Sequence, residues 1–271
     1  MSVAVVDFVD IDWSGRPVHI EHAWINRAAV DPSPGRPLLV FLHEGLGSVA
    51  MWKDFPQRLC TALNCRGLVY SRPGYGRSTP RPADEALEPD FMHRQAFEVL
   101  PALLLALDID AEVQPPWLLG HSDGGSIALL YAARHSAQLA GVVVLAPHIC
   151  VEAISVASIE QAADAYTEGD LRQRLGAYHD DPDSAFWGWN RAWLAPQFRD
   201  WSIAAELSTI TCPLLAVQGM DDVYGTLAQI RGIAERAPQT RLLELVSCGH
   251  SPHRDQPEAL IAAVADFCHL S

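Results

Sequence analysis

A serine and an aspartate interrupt an otherwise apolar stretch of the chain, WLLGHSDGGSIALLY over residues 117–131. A polar group between a buried strand and a buried helix costs free energy unless it is hydrogen-bonded or used in chemistry. Residues 120–124 match the pattern G-x-S-x-G, in which a sharp strand-to-helix turn exposes the serine oxygen and the glycines avoid a Cβ collision. Because an apolar strand pattern ends at Ser122 and an amphipathic helix pattern begins there, the context predicts that Ser122 is a nucleophile.

A serine hydroxyl is a weak nucleophile at its own pKa, so it requires a base and a group that orients the base. Asp221 and Asp222 follow one apolar segment, PLLAVQG, and His250 follows the next, RLLELV. Since the carboxyl ends of parallel strands lie along one edge of a sheet, we expect Ser122, one of these aspartates and His250 to converge there. His253 lies on the same loop as His250 and is an alternative base.

The elements that must position these residues alternate along the chain. Six short apolar segments rich in Val and Leu predict strands buried on both faces, at residues 38–43, 67–71, 117–122, 141–147, 213–219 and 241–246. Helical patterns lie between most of them, at residues 90–107, 123–135, 226–237 and 257–268. Two segments that flank Ser14 and Gly15, residues 4–13 and 16–26, predict an antiparallel hairpin. The alternation predicts an α/β fold, with a mostly parallel central sheet and helices on both faces.

One long interval, residues 148–206, breaks this alternation. It contains helical patterns, no convincing strand, and four tryptophans, at positions 187, 189, 193 and 201. A helical insertion between two strands of a sheet is typical of a cap that covers the ends of the strands. We therefore expect a core domain formed by residues 1–147 and 207–271, and a helical cap formed by residues 148–206.

Composition and charge narrow the class of protein. The 271 residues are 49% hydrophobic and 19% charged, which suits a chain with one sizeable core. A formal net charge of −14 repels phosphates and disfavours nucleic acid as a partner. The N-terminal segment has no basic region, and no run of about eighteen apolar residues is free of charge or proline. We expect a soluble, cytoplasmic protein that binds neither nucleic acid nor a membrane.

The six cysteines show neither a C-x-x-C pair nor the spacing of zinc ligands. In a chain of this length without a secretory signal, they are expected to be free, buried thiols. The sequence also lacks a phosphate-binding loop. We therefore expect no metal and no organic cofactor.

Five motifs resemble those of the α/β-hydrolase superfamily in their order along the chain. They are LHEGLGS, similar to an oxyanion loop; SRPGYGRS, a P-G-x-G turn; GHSDGG, a nucleophile elbow; QGMDD, an acid site; and CGHSPHRDQPE, a histidine loop. The resemblance covers nearly the whole chain and implies the fold of that family. It also implies Ser122 as nucleophile, His250 as base and Asp222 as acid. Asp221 is the alternative acid, and His253 is the alternative base.

The resemblance further implies that the backbone N–H groups of Gly45 and Asp123 form the oxyanion hole. Two residues depart from the family's pattern: Glu44 stands where a glycine is usual, and Arg72 stands where an aspartate is usual. The departures predict either a salt bridge between Glu44 and Arg72 or a direct role for Glu44 in binding substrate. The carboxylate of Asp123, beside Ser122, should disfavour anionic substrates unless a cation compensates it.

The remaining candidate substrate-binding residues are His148, at the start of the expected cap, and Trp187 and Trp189, because aromatic walls are common in ligand clefts. The resemblance implies hydrolysis of a carboxylic ester or thioester of small to medium size through an acyl-enzyme on Ser122. One alternative is a carbon-carbon bond hydrolase that acts on a vinylogous diketone. An alternative of another class is a ligand-binding receptor with vestigial turnover, and we allow for a homodimer.

Overall fold

A computed structural model describes residues 6–26, 37–82, 85 and 87–270 of the chain. Within that part, eight strands form one sheet in the order β1-β2-β4-β3-β5-β6-β7-β8. The strands are β1 Val6–Trp13, β2 Arg16–Ile25, β3 Leu38–Leu42, β4 Arg66–Tyr70, β5 Trp117–His121, β6 Gly141–Leu145, β7 Leu214–Gly219 and β8 Thr240–Leu245. From β4 to β8 along this order every neighbouring pair is parallel, whereas β1 with β2 and β2 with β4 are antiparallel.

Helices cover both faces of the sheet. The α-helices are α1 Phe55–Ala62, α2 Phe91–Arg94, α3 Leu100–Ala106, α4 Asp123–His135, α5 Ala153–Thr167, α6 Leu171–Leu175, α7 Pro182–Leu194, α8 Ala228–Arg236, α9 Pro252–Asp255 and α10 Pro257–Leu270. A π-helical segment, Gln95–Val99, joins α2 to α3, and 3₁₀ turns lie at Val49–Trp52, Ser136–Gln138, Pro196–Phe198 and Glu206–Thr209. Buried side chains of α1 and α10 pack on one face, and those of α2, α3, α4 and α8 pack on the other.

The pattern of burial explains why the apolar segments form these strands. Strands β3, β5, β6 and β7 are buried at every position, as strands covered on both faces must be. The edge strand β8 is only partly buried. At the other edge, Ser14 and Gly15 both have positive φ angles, of 56° and 71°, which a two-residue hairpin turn requires.

The predicted α/β fold is confirmed, and each of the six strands predicted from the apolar segments, β3 to β8, lies within a few residues of its predicted position. The first two residues of the expected hairpin lie outside the described part of the chain. The segment expected to form the cap, residues 148–206, contains helices α5, α6 and α7. Its β-structure is limited to an isolated bridge between Cys150 and Ser202. Among the described residues, no helix combines the length and the apolar character that a membrane crossing needs.

Candidate active site

Ser122 occupies a strained turn between β5 and α4. Its φ of 52° and ψ of −120° lie in a region that residues other than glycine rarely adopt, and such strain is found where a site demands it. The Ser122 amide donates to the Leu145 carbonyl at 2.9 Å, which ties the turn to the adjacent strand β6. The backbone therefore holds the serine at the carboxyl edge of the sheet.

The two flanking glycines are needed for close approach. A Cβ on Gly120 would lie 2.2 Å from the carbonyl oxygen of Gly124. A Cβ on Gly124 would lie 2.1 Å from the carbonyl oxygen of Leu42, in β3. Both contacts are to backbone, which cannot move away as a flexible side chain could, so the G-x-S-x-G pattern follows from packing as well as from chemistry.

Ser122, His250 and Asp222 form one chain of hydrogen bonds. The Ser122 hydroxyl donates to His250 Nε2 at 2.9 Å, and His250 Nδ1–H points at Asp222 with 2.9 Å to each carboxylate oxygen. The bond to Asp222 fixes the tautomer in which Nε2 has a free lone pair toward the serine. The three residues thus have the geometry of a nucleophile, a base and a group that orients the base.

Asp222 is buried and its carboxylate has further donors. The Tyr224 amide donates to Oδ1 at 2.8 Å, and Gln218 Nε2–H donates to Oδ2 at 2.9 Å. Burial alone would raise the pKa of Asp222, but the interactions with His250, the Tyr224 amide and His148 together outweigh it and the pKa is lowered. The neighbouring Asp221 is exposed, and its amide donates to the Cys248 carbonyl.

The imidazole of His250 is suited to accept a proton. Burial lowers its pKa below the usual value for histidine, and the interaction with Asp222 opposes this shift without cancelling it. The ring is therefore neutral near pH 7, as a general base must be. The alternative base, His253, lies instead against Trp52 and Phe55, with ring centroids 4.9 Å and 5.6 Å away.

The expected oxyanion loop, residues 42–48, is held by hydrogen bonds to its backbone. The Glu44 carbonyl accepts from Arg72 Nη2–H at 2.8 Å and from His43 Nδ1–H at 2.7 Å. In a trans peptide the N–H points opposite to the C=O, so the Gly45 N–H is directed away from Arg72 and His43. The Asp123 amide belongs to the first turn of α4, where N–H groups have no partner within the helix. Gly45 and Asp123 both line the cavity at Ser122.

The expected salt bridge between Glu44 and Arg72 does not form. Arg72 reaches the Glu44 carbonyl from below the loop, and its guanidinium lies 3.9 Å from the carboxylate of Asp123. The Glu44 carboxylate lies instead 3.5 Å from His121 Nδ1. The Arg72 guanidinium binds the Glu44 carbonyl and lies beside Asp123, and it does not pair with the Glu44 carboxylate. Glu44 therefore lines the cavity without a bond to Arg72.

The carboxylate of Asp123 is buried against two partners, Arg72 and Trp193. Burial raises its pKa to about 6, although Arg72 and the hydrogen bond from Trp193 Nε1–H, at 3.2 Å, both favour the ionised form. The sequence did not identify Trp193 as a partner of this residue. The contact depends on how α7 packs over the turn at Ser122. The spacing of residues in the sequence does not predict that packing.

A cavity of about 200 Å³ opens at Ser122. Its polar lining includes the serine, His250, Glu44, His121, His148 and Ser251. Its apolar lining comes from residues 42–48, the following turn and helices α5, α6 and α7: Leu46, Met51, Ile159, Leu171, Leu175, Trp189 and Trp193. The reacting hydroxyl therefore lies at one end of a pocket that is mostly apolar, as small-molecule sites usually are.

Three of the four candidate substrate-binding residues line the cavity. Glu44, His148 and Trp189 line the cavity, but Trp187 does not; its ring packs against Tyr166 at a centroid distance of 5.5 Å. His148 Nε2–H donates to the Tyr224 carbonyl at 3.1 Å, and burial lowers the pKa of His148 to about 4.

Residues 148–206, the expected cap segment, are joined to residues 42–48, the expected oxyanion loop, through His179. The Gly76 amide donates to His179 Nδ1, and His179 Nε2–H donates to the Leu46 carbonyl, both at 2.9 Å. Among the described residues, no cluster of three or more His, Cys, Asp or Glu side chains is arranged to hold a metal ion.

Comparison with known proteins gives one consistent family. The family model described as "Alpha/beta hydrolase family" matches residues 39–263. A 2-succinyl-6-hydroxy-2,4-cyclohexadiene-1-carboxylate synthase from Enterobacter sp. (strain 638) is 27% identical over 88% of this chain and 93% of its own length. The enzyme of the same name from Klebsiella pneumoniae (strain 342) is also 27% identical, over 89% of this chain and 97% of its own.

Solved structures show the same architecture. A thermophilic esterase from Thermogutta terrifontis superposes with a TM-score of 0.72 at 18% identity, over 98% of this chain and 99% of its own. The enol-lactonase from Burkholderia xenovorans superposes with a TM-score of 0.70 at 19% identity, over 93% and 97% of the two chains. At such identities the likeness concerns the fold alone.

Proposed function

The chain belongs to the α/β-hydrolase family, and from this premise we propose that it is a serine hydrolase of carboxylic esters or thioesters. The observation that supports this most directly is the continuous hydrogen-bond chain from Ser122 through His250 to Asp222, with each contact at 2.9 Å. The chain of bonds ends in a mostly apolar cavity, which suits an acyl group of small to medium size.

In the proposed mechanism, Ser122 Oγ attacks the substrate carbonyl while His250 Nε2 takes the hydroxyl proton. The N–H groups of Gly45 and Asp123 stabilise the resulting oxyanion. When the tetrahedral intermediate collapses, His250 returns the proton to the departing alcohol or thiol, and the acyl group stays on Ser122. Water, deprotonated by His250, then attacks the acyl-enzyme, and His250 returns that proton to Ser122 Oγ as the bond to the acyl group breaks and the acid is released.

The full-length similarity to the synthases suggests a second candidate, the formation of 2-succinyl-6-hydroxy-2,4-cyclohexadiene-1-carboxylate. That product carries two carboxylates. None of the described residues that line the cavity is a lysine or an arginine, and Glu44 presents a carboxylate to it. A dianionic compound therefore fits the lining less well than an uncharged ester does.

Labelling with a fluorophosphonate tests the proposal directly. Intact mass should show one adduct on the wild-type protein and none on S122A, and ester turnover by S122A should fall by roughly 10⁴- to 10⁶-fold. Ser251 also lines the cavity, so S251A serves as the matched control and should keep both the adduct and most of the turnover.

The substrate panel separates the alternatives. It should contain p-nitrophenyl esters, acyl-CoA thioesters and a vinylogous diketone formed by ring fission. Preferred cleavage of the diketone would replace ester hydrolysis with carbon-carbon bond hydrolysis. Tight binding of ligands without steady turnover of any compound would assign the protein to the receptor-like class.

A further inference from the structure

We propose that Glu44 makes this site select substrates by charge, so that compounds bearing a cation react in preference to matched compounds bearing a carboxylate. The inference rests on the proposed hydrolase function and names the substrate class of that site. It concerns the residue at which the chain departs from the glycine usual in related oxyanion loops.

The position of Glu44 is fixed by its own backbone. Its carbonyl accepts from Arg72 and His43 on one side of the loop, while its carboxylate lines the cavity beside Ser122, with the side chain 19% exposed. The carboxylate is thus close enough to solvent to meet a substrate and buried enough that water screens it incompletely.

One neighbour, His121, contacts the carboxylate. His121 Nε2–H donates to the His250 carbonyl at 2.7 Å, so it is Nδ1 that faces Glu44, at 3.5 Å. Burial opposes ionisation of Glu44, but the interactions with His121, His253 and His43 together outweigh it and lower the pKa well below the usual range for glutamate. Glu44 is therefore ionised at neutral pH, and two carboxylate oxygens offer about four acceptor sites against this single contact.

Apart from His121, which faces the Glu44 carboxylate, the described lining of the cavity supplies no cation. Its described lining holds no lysine or arginine, and burial lowers the pKa of His148 and of His250, so both rings are neutral near pH 7. The guanidinium of Arg72 is buried against Asp123, and that of Arg254 donates to the Met51 carbonyl at 3.1 Å. A substrate carboxylate would therefore meet Glu44 with no partner of its own in the described lining, since His121 Nδ1 is already directed at Glu44.

The apolar wall of the cavity suits a bulky cation better than an anion. Trp189 and Trp193 form part of this wall, and aromatic rings attract cations through the negative charge on their faces. A quaternary ammonium group also needs no hydrogen-bond acceptors, unlike a carboxylate, which would lose its hydration among apolar side chains.

Three thioacetates of similar size test the proposal, with thiol release as the signal: acetylthiocholine, its uncharged isostere S-(3,3-dimethylbutyl) thioacetate, and the thioacetate of 4-mercaptobutanoic acid. For the wild type we expect kcat/KM to fall in that order, with a factor of about ten or more between the cation and the anion. E44Q removes the charge at nearly constant size and should bring the three values close together. E44D, which keeps the charge, should retain the order.

Asp221 provides the matched control. It is an exposed carboxylate next to the proposed catalytic acid and is not part of the cavity lining, so D221N removes one negative charge without changing the wall. The order of the three substrates should survive in D221N. Equal kcat/KM values for the wild type, or an unchanged order in E44Q, would overturn the role of Glu44.

A binding measurement keeps this inference separate from the hydrolase proposal. Calorimetry with S122A, which cannot form the acyl-enzyme, should show tighter binding of choline than of 3,3-dimethyl-1-butanol, and the difference should disappear in the S122A/E44Q double variant. If no thioacetate is cleaved but this preference is found, the proposed reaction fails and the charge selection stands. If turnover is found without any preference, the charge selection fails.

Discussion

At the scale of single residues, Asp221 and Asp222 differ in their surroundings although they are neighbours in sequence. Asp222 is buried and meets His250 Nδ1 at 2.9 Å, whereas Asp221 is exposed. The Asp222 carboxylate also accepts from Gln218 and from the Tyr224 amide, which hold it in one orientation. Only Asp222 can therefore fix the tautomer of the imidazole.

We predict that D222N lowers kcat by about 10⁴-fold, because the amide favours the wrong tautomer of His250. D221N should lower kcat by less than about threefold, since no contact to the base is lost. The comparison requires steady-state kinetics with one ester on both variants. A larger loss in D221N than in D222N would transfer the acid's role to Asp221.

The same pair of variants has a signature in pH dependence. Burial lowers the pKa of His250, and Asp222 partly raises it again. The neutral ring is the active base, so kcat/KM should fall only as the pH drops through this lowered pKa. Without the charge of Asp222 the pKa falls further, and the acid limb of the residual D222N activity should lie at lower pH than that of the wild type or D221N.

The residues of this site differ in how far a sequence can predict them. Ser122 and His250 follow from local patterns at the ends of strands, since a parallel sheet brings those ends to one edge. Gln218 could also have been found, because it lies in β7 four residues before Asp222. The contact of Trp193 with Asp123 joins residues 70 positions apart and depends on how the cap packs, which local patterns do not encode.

At the scale of elements, α7 explains why only some of its tryptophans face the cavity. Residues four apart lie on one face of a helix, and residues two apart do not. Trp189 and Trp193 accordingly both line the cavity. Trp187 and Arg191 lie on another face, with the guanidinium 5.3 Å from the indole centroid. The helical period therefore separates Trp187 from Trp189, which the aromatic content of the segment alone could not do.

This arrangement predicts different effects for two similar substitutions. W189A should change the ranking of kcat/KM among esters of different acyl length by about 1–3 kcal/mol, because it enlarges the apolar pocket. W187A should leave the ranking unchanged and act mainly through stability, since its contacts are with Tyr166 and Phe186. An ester series from acetate to decanoate, measured beside thermal unfolding, distinguishes the two effects. A changed ranking in W187A alone would place the acyl pocket elsewhere.

At the scale of the whole molecule, the cap segment and the sheet share one apolar core. Phe198, between α7 and β7 in sequence, is fully buried and packs against Phe91 of α2 at a centroid distance of 5.8 Å and against Trp193 at 5.0 Å. The same continuous cluster includes Ile127 and Leu130 of α4, the helix that follows the elbow. His179 adds polar links to the oxyanion loop.

Because the apolar core is continuous, we expect the cap and the sheet to unfold together although the sequence divides them at residues 148 and 206. F198A should reduce the free energy of unfolding by about 3–5 kcal/mol, since it opens a cavity where the two parts meet. Fluorine NMR of protein labelled with 5-fluorotryptophan can follow both parts during a urea titration. Residues 187, 189, 193 and 201 report on the cap, and residues 13, 24, 52 and 117 report on the sheet and its flanking loops. Both sets should show one midpoint in the wild type and one lower midpoint in F198A, whereas loss of the cap signals at lower urea than the sheet signals would make the cap a separately folding domain.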